Sequence, residues 1–390
     1  MKLKKILTRI LCFILIMATY LCFFSLNTIA QPVENENPTI ELNCKSAVLM
    51  EPKTGKIIYE KNADEAFPPA SVTKIMTLIL VMEAIDGGVI KYTDMVSTSA
   101  NAAAMGGSQV YLEEGEQMSV DDLLKSVVIS SANDAAVALA EYIAGSEETF
   151  VERMNKRSAE LQMNNTHFEN TNGLDDTVVN HVTSARDIAI MSRELIKHRK
   201  ILEYSSIWMD TIRNGEFGLT NTNRLIRFYK GATGLKTGST SKAGFCISAT
   251  AERDGMELIA VIMGSPTRDV RNEAAKTLLD YGFDNYSLYH KTGEQIKDIA
   301  ILGGVEETFD AHYDDFYCLL PRGDSNSVEY EIQISEDIHA PLQENEKIGT
   351  IKFICRTNEI GRADILSSKA MAKISFWQYF IKMFAKFLTV

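Results

Sequence analysis

The chain has 390 residues, of which 45% are hydrophobic, so it is not a disordered chain and has room for two or three domains with a large core. Its 52 acidic residues outnumber its 40 basic residues, and the formal net charge of −12 excludes nucleic acid as an expected partner. The six cysteines include no CxxC pair and the six histidines no HExxH pattern, so we expect no disulfide framework, no metal and no cofactor.

Residues 1–30 have the pattern of an export signal. Basic residues precede the apolar stretch ILCFILIMATYLCFFSL, and small residues at Thr28 and Ala30 suit signal peptidase. We therefore predict export, with cleavage before Gln31. An uncleaved membrane anchor is the alternative, because the apolar run approaches the length that spans a bilayer.

Residues 31–283 read as one domain with hairpins at both ends. SAVLMEPKTGKIIYEKN places two β-rich runs around a turn at 52–55, and GFCISATAERDGMELIAVIMGS does the same around 253–255. Helical patterns occupy the rest of this region, at about 71–86, 120–160, 184–197 and 274–283. We predict an α/β (α+β) fold in which both ends of the domain form one antiparallel sheet with helices against it.

Residues 284–366 show short segments that alternate between apolar and polar side chains. The best of them is VEYEIQI at 328–334, whose apolar residues share one face of a strand. This alternation over short segments predicts a small all-β second domain.

Residues 367–390 end in AKISFWQYFIKMFAKFLTV, which forms an amphipathic helix when drawn with helical periodicity. The polar stripe contains Ser375, Gln378, Lys382, Lys386 and Thr389, and the opposite face Phe376, Phe380, Met383, Phe384 and Phe387. Lysines beside an aromatic face suit an anionic membrane surface, so we predict a helix that lies on the bilayer and anchors the protein. A helix docked on its own domain is the alternative.

Two Ser-x-x-Lys motifs compete for the role of nucleophile and base. Ser71 and Lys74 begin an apolar stretch that predicts a buried helix, where a spacing of three puts both side chains on one face. Burial and nearby cations lower the pKa of a lysine, which leaves a neutral amine to accept the serine proton. Ser239 and Lys242 lie in a β-rich context where such a spacing points to opposite faces, so we choose Ser71.

The other short motifs also occur more than once. Ser131 and Asn133 lie at a junction between helical patterns and can project into a cleft, whereas Ser99 and Asn101 resemble an ordinary helix cap. Of three Lys-Thr-Gly copies, those at 53–55 and 291–293 suit turns. The copy at 236–238 precedes an apolar strand whose glycines and small residues would let a substrate backbone approach, so we choose it.

In this order, Ser-x-x-Lys, Ser-x-Asn and Lys-Thr-Gly form the motif set of penicillin-binding proteins and class A β-lactamases. Together with FENTNGLDD, GLKTGSTSKAGFC and LLDYGF, the blocks SVTK and SSANDAAVALAE resemble the D-alanyl-D-alanine carboxypeptidases from about Cys44 to Phe283. The resemblance implies the penicillin-binding protein/β-lactamase-like transpeptidase fold, with helices on both faces of the sheet. It also implies peptidoglycan stem peptides ending in D-Ala-D-Ala as substrates, β-lactam antibiotics as covalent inhibitors, and a place at the outer face of the bacterial cytoplasmic membrane.

The resemblance also implies roles for individual residues. Ser71 would be the acylated nucleophile, Lys74 its base, and Ser131 with Lys236 the proton relay to the leaving D-alanine. Asn133 would bind the peptide backbone of the substrate, Thr237 its terminal carboxylate, and Gly238 would be the close-approach glycine of the motif. The backbone N–H groups of Ser239 and Ser71 would bind the oxyanion.

Some positions depart from the family pattern. Thr222 stands where members often place a carboxylate-binding arginine, and Arg271 is the candidate to compensate. His181 and Asp187 lie in a family-like block, where we expect structural roles. The alternatives are a serine β-lactamase, for which Glu169-x-x-Asn172 offers a superficial match, and a non-catalytic wall-binding protein of the same fold.

Overall fold

The computed structural model describes residues 40 to 388 apart from the side chain of Lys386, so the predicted leader and Thr389 lie outside the described residues. The strands are β1 Ser46–Glu51, β2 Lys56–Lys61, β3 Met95–Ser97, β4 Gln117–Ser119, β5 Met209–Ile212, β6 Phe217–Thr220, β7 Ala232–Thr240, β8 Gly244–Arg253, β9 Met256–Ser265, β10 Tyr286–Lys291, β11 Gln295–Ala300, β12 Thr308–His312, β13 Phe316–Pro321, β14 Val328–Ile334, β15 Lys347–Cys355 and β16 Asn358–Ser367. The α-helices are α1 Lys74–Asp86, α2 Ala100–Ala103, α3 Val120–Ile129, α4 Asn133–Ala144, α5 Glu147–Glu160, α6 Ala185–Leu195, α7 Lys200–Ser205, α8 Leu225–Phe228, α9 Arg268–Asn285 and α10 Phe376–Leu388.

The predicted antiparallel sheet is confirmed, and it has five strands in the order β2-β1-β9-β8-β7. The two predicted hairpins, β1-β2 at one edge and β8-β9 inside the sheet, turn where the sequence predicted. In the first turn the Glu51 carboxylate accepts hydrogen bonds from the backbone N–H groups of Lys53 and Thr54, both at 2.7 Å. The first Lys-Thr-Gly copy is therefore part of a turn.

Both faces of this sheet are buried. On one face, Val48 and Met50 join the main hydrophobic cluster, which includes residues of α1 and α6. On the other face, Leu49 packs against α9. A Cβ added to Gly282 of that helix would lie 3.1 Å from the Leu49 Cδ2 atom. Burial on both faces explains why the central strands are continuous apolar runs without polar alternation.

The predicted central helix is buried along most of its length, but its first turn differs from the prediction. Ala70–Thr73 form a 3-10 turn, and the α-helix begins only at Lys74. The Thr73 hydroxyl donates to the Ala70 carbonyl at 2.8 Å, which supports the tighter turn. Because residues i and i+3 eclipse one another in a 3-10 helix, this turn aligns Ser71 with Lys74 more closely than an α-helix would.

The helical region predicted at 120–160 divides into α3, α4 and α5. Between α3 and α4 the chain breaks at Ser131, whose φ of 63° is in the left-handed region. Such a backbone conformation is uncommon for a residue with a Cβ and is found mainly at turns and functional sites.

The C-terminal region is all-β, as predicted, with a two-stranded sheet β10-β13 and a five-stranded sheet β11-β12-β16-β15-β14. The strand predicted at 328–334 is present as β14. Because β14 is an edge strand, its apolar face is only partly covered, and Tyr330 and Ile332 are 45% and 47% exposed. The third Lys-Thr-Gly copy begins at the end of β10 and leads towards β11.

The C-terminal helix α10 is exposed along its described length. Phe380 and Phe384 are 53% and 57% exposed, and Phe387 is 82% exposed. Lys382 reaches back to the β region, where its Nζ lies 3.0 Å from a Glu307 carboxylate oxygen. Among residues 40–388, no helix is both long and apolar enough to cross a membrane.

Candidate active site

Ser71 and Lys74 are in direct contact at the N-terminus of the central helix. The Lys74 Nζ atom lies 3.0 Å from the Ser71 Oγ atom, 2.6 Å from the Asn133 Oδ1 atom and 2.9 Å from the Asn172 carbonyl oxygen. Lys74 is fully buried, whereas Ser71 lines a cavity. The amine is therefore fixed in one position beneath an accessible hydroxyl.

The surroundings of Lys74 favour a neutral amine. Burial holds the pKa of Lys74 well below its usual range, the positive charge of Lys236 lowers it further, and only Asp134 acts in the opposite sense. A neutral amine has two N–H donors and one lone pair. Since the Asn133 and Asn172 oxygens can only accept, they take the two hydrogens and leave the lone pair for the Ser71 hydroxyl.

A second serine–lysine pair lies at the same cavity, with Ser131 on its wall and Lys236 buried behind it. The Lys236 Nζ atom donates to the Ser131 Oγ atom at 2.8 Å and to the Thr237 carbonyl at 2.9 Å. Burial, with a smaller contribution from the charge of Arg271, lowers the pKa of Lys236 to about 7. Lys236 can therefore exchange a proton with Ser131 near neutral pH.

Strand β7 lies directly against the turn that carries Ser71. A Cβ added to Gly238 would come within 2.8 Å of the Ser71 nitrogen and within 2.9 Å of the Pro69 carbonyl oxygen. Only glycine allows this approach, which brings the backbone of Ser239 beside Ser71. The motif glycine is thus required by packing against the serine turn.

One cavity of about 560 Å³ connects these groups. Its walls include the six predicted residues Ser71, Ser131, Thr237, Gly238, Ser239 and Arg271. The remaining predicted residues, Lys74, Asn133 and Lys236, are buried behind this surface and bond to it. In the side-chain amide of Asn133, the Oδ1 atom accepts from Lys74 and the Nδ2 atom donates to the Gly106 carbonyl at 2.7 Å.

The carboxylate-binding candidates Thr237 and Arg271 line the cavity, as does Thr222. The Thr237 hydroxyl donates to the Thr222 hydroxyl at 2.8 Å. Arg271 is 3% exposed and donates to the Cys246 carbonyl and the Asn272 side chain. Burial, followed by the charge of Arg268, lowers the pKa of Arg271 to about 10, so it stays cationic at neutral pH.

The sequence matches two known protein-family models, which together cover most of the chain. A family model described as D-alanyl-D-alanine carboxypeptidase matches residues 31–267, and one described as the penicillin-binding protein 5 C-terminal domain matches residues 283–373. The chain belongs to the D-alanyl-D-alanine carboxypeptidase family. It is 41% identical over 339 residues to the D-alanyl-D-alanine carboxypeptidase DacF of Bacillus subtilis (strain 168), covering 85% of this chain and 87% of the relative.

Solved structures agree with the family assignment. Penicillin-binding protein 5 from Haemophilus influenzae aligns with a TM-score of 0.75 at 31% identity, over 86% of this chain and 99% of that chain. Penicillin-binding protein D2 from Listeria monocytogenes in its ampicillin-bound form aligns with a TM-score of 0.59 at 32% identity, over 63% of this chain and all (100%) of that chain. The predicted fold is therefore confirmed.

In this family member, the loop that carries His181 contacts the turn that contains Ser71 and Thr73. The Nδ1 atom of His181 accepts from the Glu169 backbone N–H at 3.0 Å, so the neutral ring carries its proton on Nε2, which lies 2.7 Å from the Thr73 hydroxyl. Burial lowers the pKa of His181 to about 4, so the ring is neutral at pH 7. Both contacts favour the structural role predicted for His181.

Gly173, in the same loop, packs against the turn that precedes α1. Its φ is 85°, and an added Cβ would lie 1.9 Å from the Ala70 carbonyl oxygen. We expect Gly173→Ala to lower the free energy of unfolding by about 1–2 kcal/mol for the left-handed backbone and by a further ~1–3 kcal/mol for overpacking. Because Ala70 precedes Ser71, acylation by penicillin should slow as well.

Gly145→Ala is the matched control for this prediction. Gly145 also has a φ of 85°, but nothing lies within 4 Å of an added Cβ. This variant should show only the backbone cost and normal acylation. Urea unfolding and acylation rates measured on both variants separate the two contributions, and equal losses for the two would refute the proposed contact.

The carboxypeptidase site also includes residues that the sequence analysis did not select. The Asn172 carbonyl holds Lys74, and Asp175 bridges the loop to β7, because the Thr240 hydroxyl and the Lys242 amine both donate to it at 2.5 Å. Lys242 is therefore committed to this bridge and does not pair with Ser239. A contact made by a backbone carbonyl cannot be predicted from residue types. The family-like FENTNGLDD block nevertheless indicated that this loop lies within the resemblance.

Other unselected residues belong to the cavity wall, namely Ser108, Trp208, Thr220, Asn221, Arg224, Phe228 and Arg268. The Asp187 carboxylate, by contrast, accepts from Asn165 and Thr166 within its own region, and burial raises its pKa, which fits a structural role. Within residues 40–388, no group of three or more His, Cys, Asp or Glu side chains is arranged to hold a metal ion.

Proposed function

We propose that this carboxypeptidase removes the terminal D-alanine from peptidoglycan stem peptides ending in D-Ala-D-Ala, through an acyl-enzyme on Ser71. The observation that carries the proposal is the contact of 3.0 Å between Ser71 Oγ and the amine of a fully buried Lys74. The other two partners of that amine are acceptors only, so a neutral Lys74 is set up to receive the serine proton.

Acylation would proceed in the following way. Lys74 takes the Ser71 proton as the Oγ atom attacks the carbonyl carbon of the penultimate D-alanine. Backbone N–H groups of Ser71 and Ser239 stabilise the oxyanion, an arrangement supported by the close approach of Gly238 to the Ser71 turn. Ser131 donates a proton to the leaving amine and is reprotonated by Lys236, which lies 2.8 Å away. Water then hydrolyses the ester to free Ser71.

Substrate binding would use the remaining predicted residues. Thr237, beside Thr222, and the cationic Arg271 hold the terminal carboxylate. Asn133 has one N–H beyond the one that it gives to Gly106, and this second N–H is available for the peptide backbone.

β-Lactam antibiotics would acylate the same serine and act as covalent inhibitors, as the ampicillin-bound form of the Listeria relative suggests. A β-lactamase needs a carboxylate base for fast release of the acyl group. Here the Glu169 carboxylate accepts instead from the Val179 and Asn180 backbone N–H groups in its own loop. We therefore expect slow deacylation, which favours a carboxypeptidase over a β-lactamase.

The experiment combines two measurements on the purified protein. Release of the terminal alanine is followed from a pentapeptide ending in D-Ala-D-Ala and from the same peptide ending in D-Ala-L-Ala, and intact mass is followed after mixing with benzylpenicillin. We expect release from the first peptide only, and a penicilloyl adduct that persists. A short-lived adduct without peptide hydrolysis would indicate a β-lactamase, and neither activity a non-catalytic protein.

The proposal extends to export and attachment. Residues 1–30 would direct the chain across the cytoplasmic membrane, residues 31–283 would form the carboxypeptidase domain, residues 284–366 the β domain, and residues 367–390 the anchor. The exposed aromatic side chains of α10 support an anchor that lies in the outer surface of that membrane. This arrangement holds the active site near its polymeric substrate.

Vesicle binding tests the anchor. We expect the protein to co-sediment with vesicles containing anionic phospholipid and Phe380→Asp/Phe384→Asp to weaken binding at least tenfold, because burying each phenylalanine contributes about 1.5–3 kcal/mol. Tyr330→Asp is the control, since Tyr330 is a similarly exposed aromatic residue outside α10. Equal loss in both variants, or none in the double variant, would contradict the assignment to α10.

A further inference from the structure

Asp134, which directly follows Asn133, is a buried carboxylate that the proposed acylation step does not use. Its described hydrogen-bond partners are backbone N–H groups, those of Val110 at 3.0 Å, Leu112 at 3.1 Å and Ala135 at 2.9 Å. Burying a charge is costly unless other groups compensate it, and here the N–H donors and the N-terminus of α4 do so. Two of the three donors belong to a distant segment, which the carboxylate therefore holds against α4.

Segment 106–112 is the part of the chain that Asp134 holds. Tyr111, between the two donors, has a φ of 59°, which is uncommon for a bulky side chain and persists only when the surroundings fix it. From the other side, Arg213 donates to the carbonyls of Val110 at 2.8 Å and Tyr111 at 3.2 Å. The carboxylate and the guanidinium therefore fix the N–H groups and the carbonyls of one short stretch of backbone.

The same segment sets the orientation of Asn133. The Gly106 carbonyl accepts from the Asn133 Nδ2 atom at 2.7 Å, and the Ser108 carbonyl accepts from the Asn133 backbone N–H, also at 2.7 Å. Because a carbonyl can only accept, the amide nitrogen must lie on the Gly106 side, and the Oδ1 atom then faces Lys74 at 2.6 Å. If the segment moved, the Lys74 amine would lose an acceptor that directs its lone pair towards Ser71.

Asp134 also acts on Lys74 through its charge. Burial is the largest cause of the lowered pKa of Lys74, the charge of Lys236 on β7 lowers it further, and the charge of Asp134 on α4 opposes both. The hydrogen-bond partners of the amine are an amide, a carbonyl and a hydroxyl, which carry no charge. The lowered pKa of Lys236 is due to burial and Arg271. Removing the carboxylate should therefore weaken Lys74 as a base and leave Lys236 unchanged.

We propose that Asp134 is a positioning residue for acylation, which holds segment 106–112 so that Asn133 keeps the Lys74 amine aligned with Ser71. The proposal rests on the proposed function, because it takes Lys74 to be the acceptor of the Ser71 proton. Asp134 is fully buried and does not line the cavity, so it does not touch the substrate. It acts through the segment, through the Asn133 amide and through its negative charge.

Asp134→Asn tests this role, because the variant keeps the size of the side chain, removes the charge and places an amide nitrogen against a backbone N–H. Acylation by benzylpenicillin and D-alanine release are measured on the purified protein across the pH range. We expect acylation at neutral pH to slow by about tenfold or more. The acid-side midpoint of its pH profile should move down by about 0.5–1 pH unit, because a Lys74 amine with a lower pKa stays neutral to lower pH.

Asp187→Asn is the matched control. Asp187 is also buried, lies in the first turn of α6 and accepts from a backbone N–H, that of Asn165 at 2.9 Å. Its charge is not among those that act on Lys74. This variant should lose a comparable free energy of unfolding in urea but keep the wild-type acylation rate and midpoint. Wild-type kinetics in Asp134→Asn, or equal kinetic losses in the two variants, would overturn the positioning role.

Arg213→Met decides the matter if Asp134→Asn does not fold. Arg213 holds the same segment, but its side chain is partly exposed and its charge does not act on Lys74. We expect slower acylation with an unshifted midpoint, and a wild-type rate would show that the position of the segment is unimportant and overturn the proposal. If the wild type itself neither forms the penicilloyl adduct nor releases D-alanine from a peptide ending in D-Ala-D-Ala, the proposed function fails instead.

Discussion

Replacing Ser71 with alanine is expected to abolish the penicilloyl adduct and to lower the kcat/KM for D-alanine release by at least ~10⁴-fold, as loss of the nucleophile does in other serine peptidases. The reason is chemical, since the other two described partners of the Lys74 amine are amide and carbonyl oxygens, and Ser71 is its one hydroxyl partner. The hydroxyl makes its described contact only with Lys74, at 3.0 Å, so its loss should change stability little. Intact mass after incubation with benzylpenicillin measures the adduct, and D-alanine release measures the turnover.

Ser99→Ala is the control for this variant. Ser99 belongs to the Ser-x-Asn motif at 99–101, which we did not choose. It caps α2 by accepting from the Ala102 N–H and bonds to Glu141. Its loss should reduce stability by about 1 kcal/mol and leave acylation normal. A stable adduct on the Ser71→Ala protein would place the nucleophile elsewhere and overturn the mechanism.

The Ser71–Lys74 pair was predictable because its geometry is local. Three residues of helical spacing place both side chains on one face, whatever the rest of the fold does. The 3-10 turn was not predicted, because it depends on Thr73 bonding to Ala70 and on the loop packed beneath it. The loop contact, between Gly173 and Ala70, joins segments that are about a hundred residues apart.

The antiparallel sheet was also predictable, since each hairpin has turn residues between two apolar runs. The partial exposure of Tyr330 could not be read from alternation alone, because it follows from the edge position of β14 in its sheet. Arg224 and Arg268 were missed for a similar reason. Arg224 immediately precedes α8 and Arg268 begins α9, and a shared cavity for two surface-type residues is visible only in three dimensions.

The other large effect is expected for Lys74→Met, which keeps the volume of the side chain but removes the amine. Acylation should fall by roughly 10³- to 10⁴-fold, a loss comparable to that of a general base in a serine peptidase. The variant also leaves the Asn133 and Asn172 oxygens without a buried donor, which should cost about 1–3 kcal/mol of stability at high pH. Rates of penicilloyl adduct formation and urea unfolding test both statements.

The lowered pKa of Lys74 also predicts whether the folding stability rises or falls with pH. Burial lowers the pKa of Lys74 in the folded protein below its unfolded value, so between the two pKa values the unfolded chain holds a proton that the folded chain lacks. Stability of the wild type should therefore rise with pH in that window, by up to about 1.4 kcal/mol per pH unit for each such lysine. Lys236 adds the same effect from about pH 7 upward. Lys74→Met removes the first contribution and flattens the slope.

Lys242→Met separates this behaviour from the loss of any lysine in a Ser-x-x-Lys motif. Lys242 bonds to the Asp175 carbonyl in the loop bridge and is not in contact with Ser71. We expect its removal to leave both the acylation rate and the pH slope of stability close to wild type. An unchanged slope in Lys74→Met would mean that the amine is charged in the folded protein. Since a charged amine has no lone pair, the proton would then have to leave Ser71 by another route, with Ser131 and Lys236 the nearest candidates across the cavity.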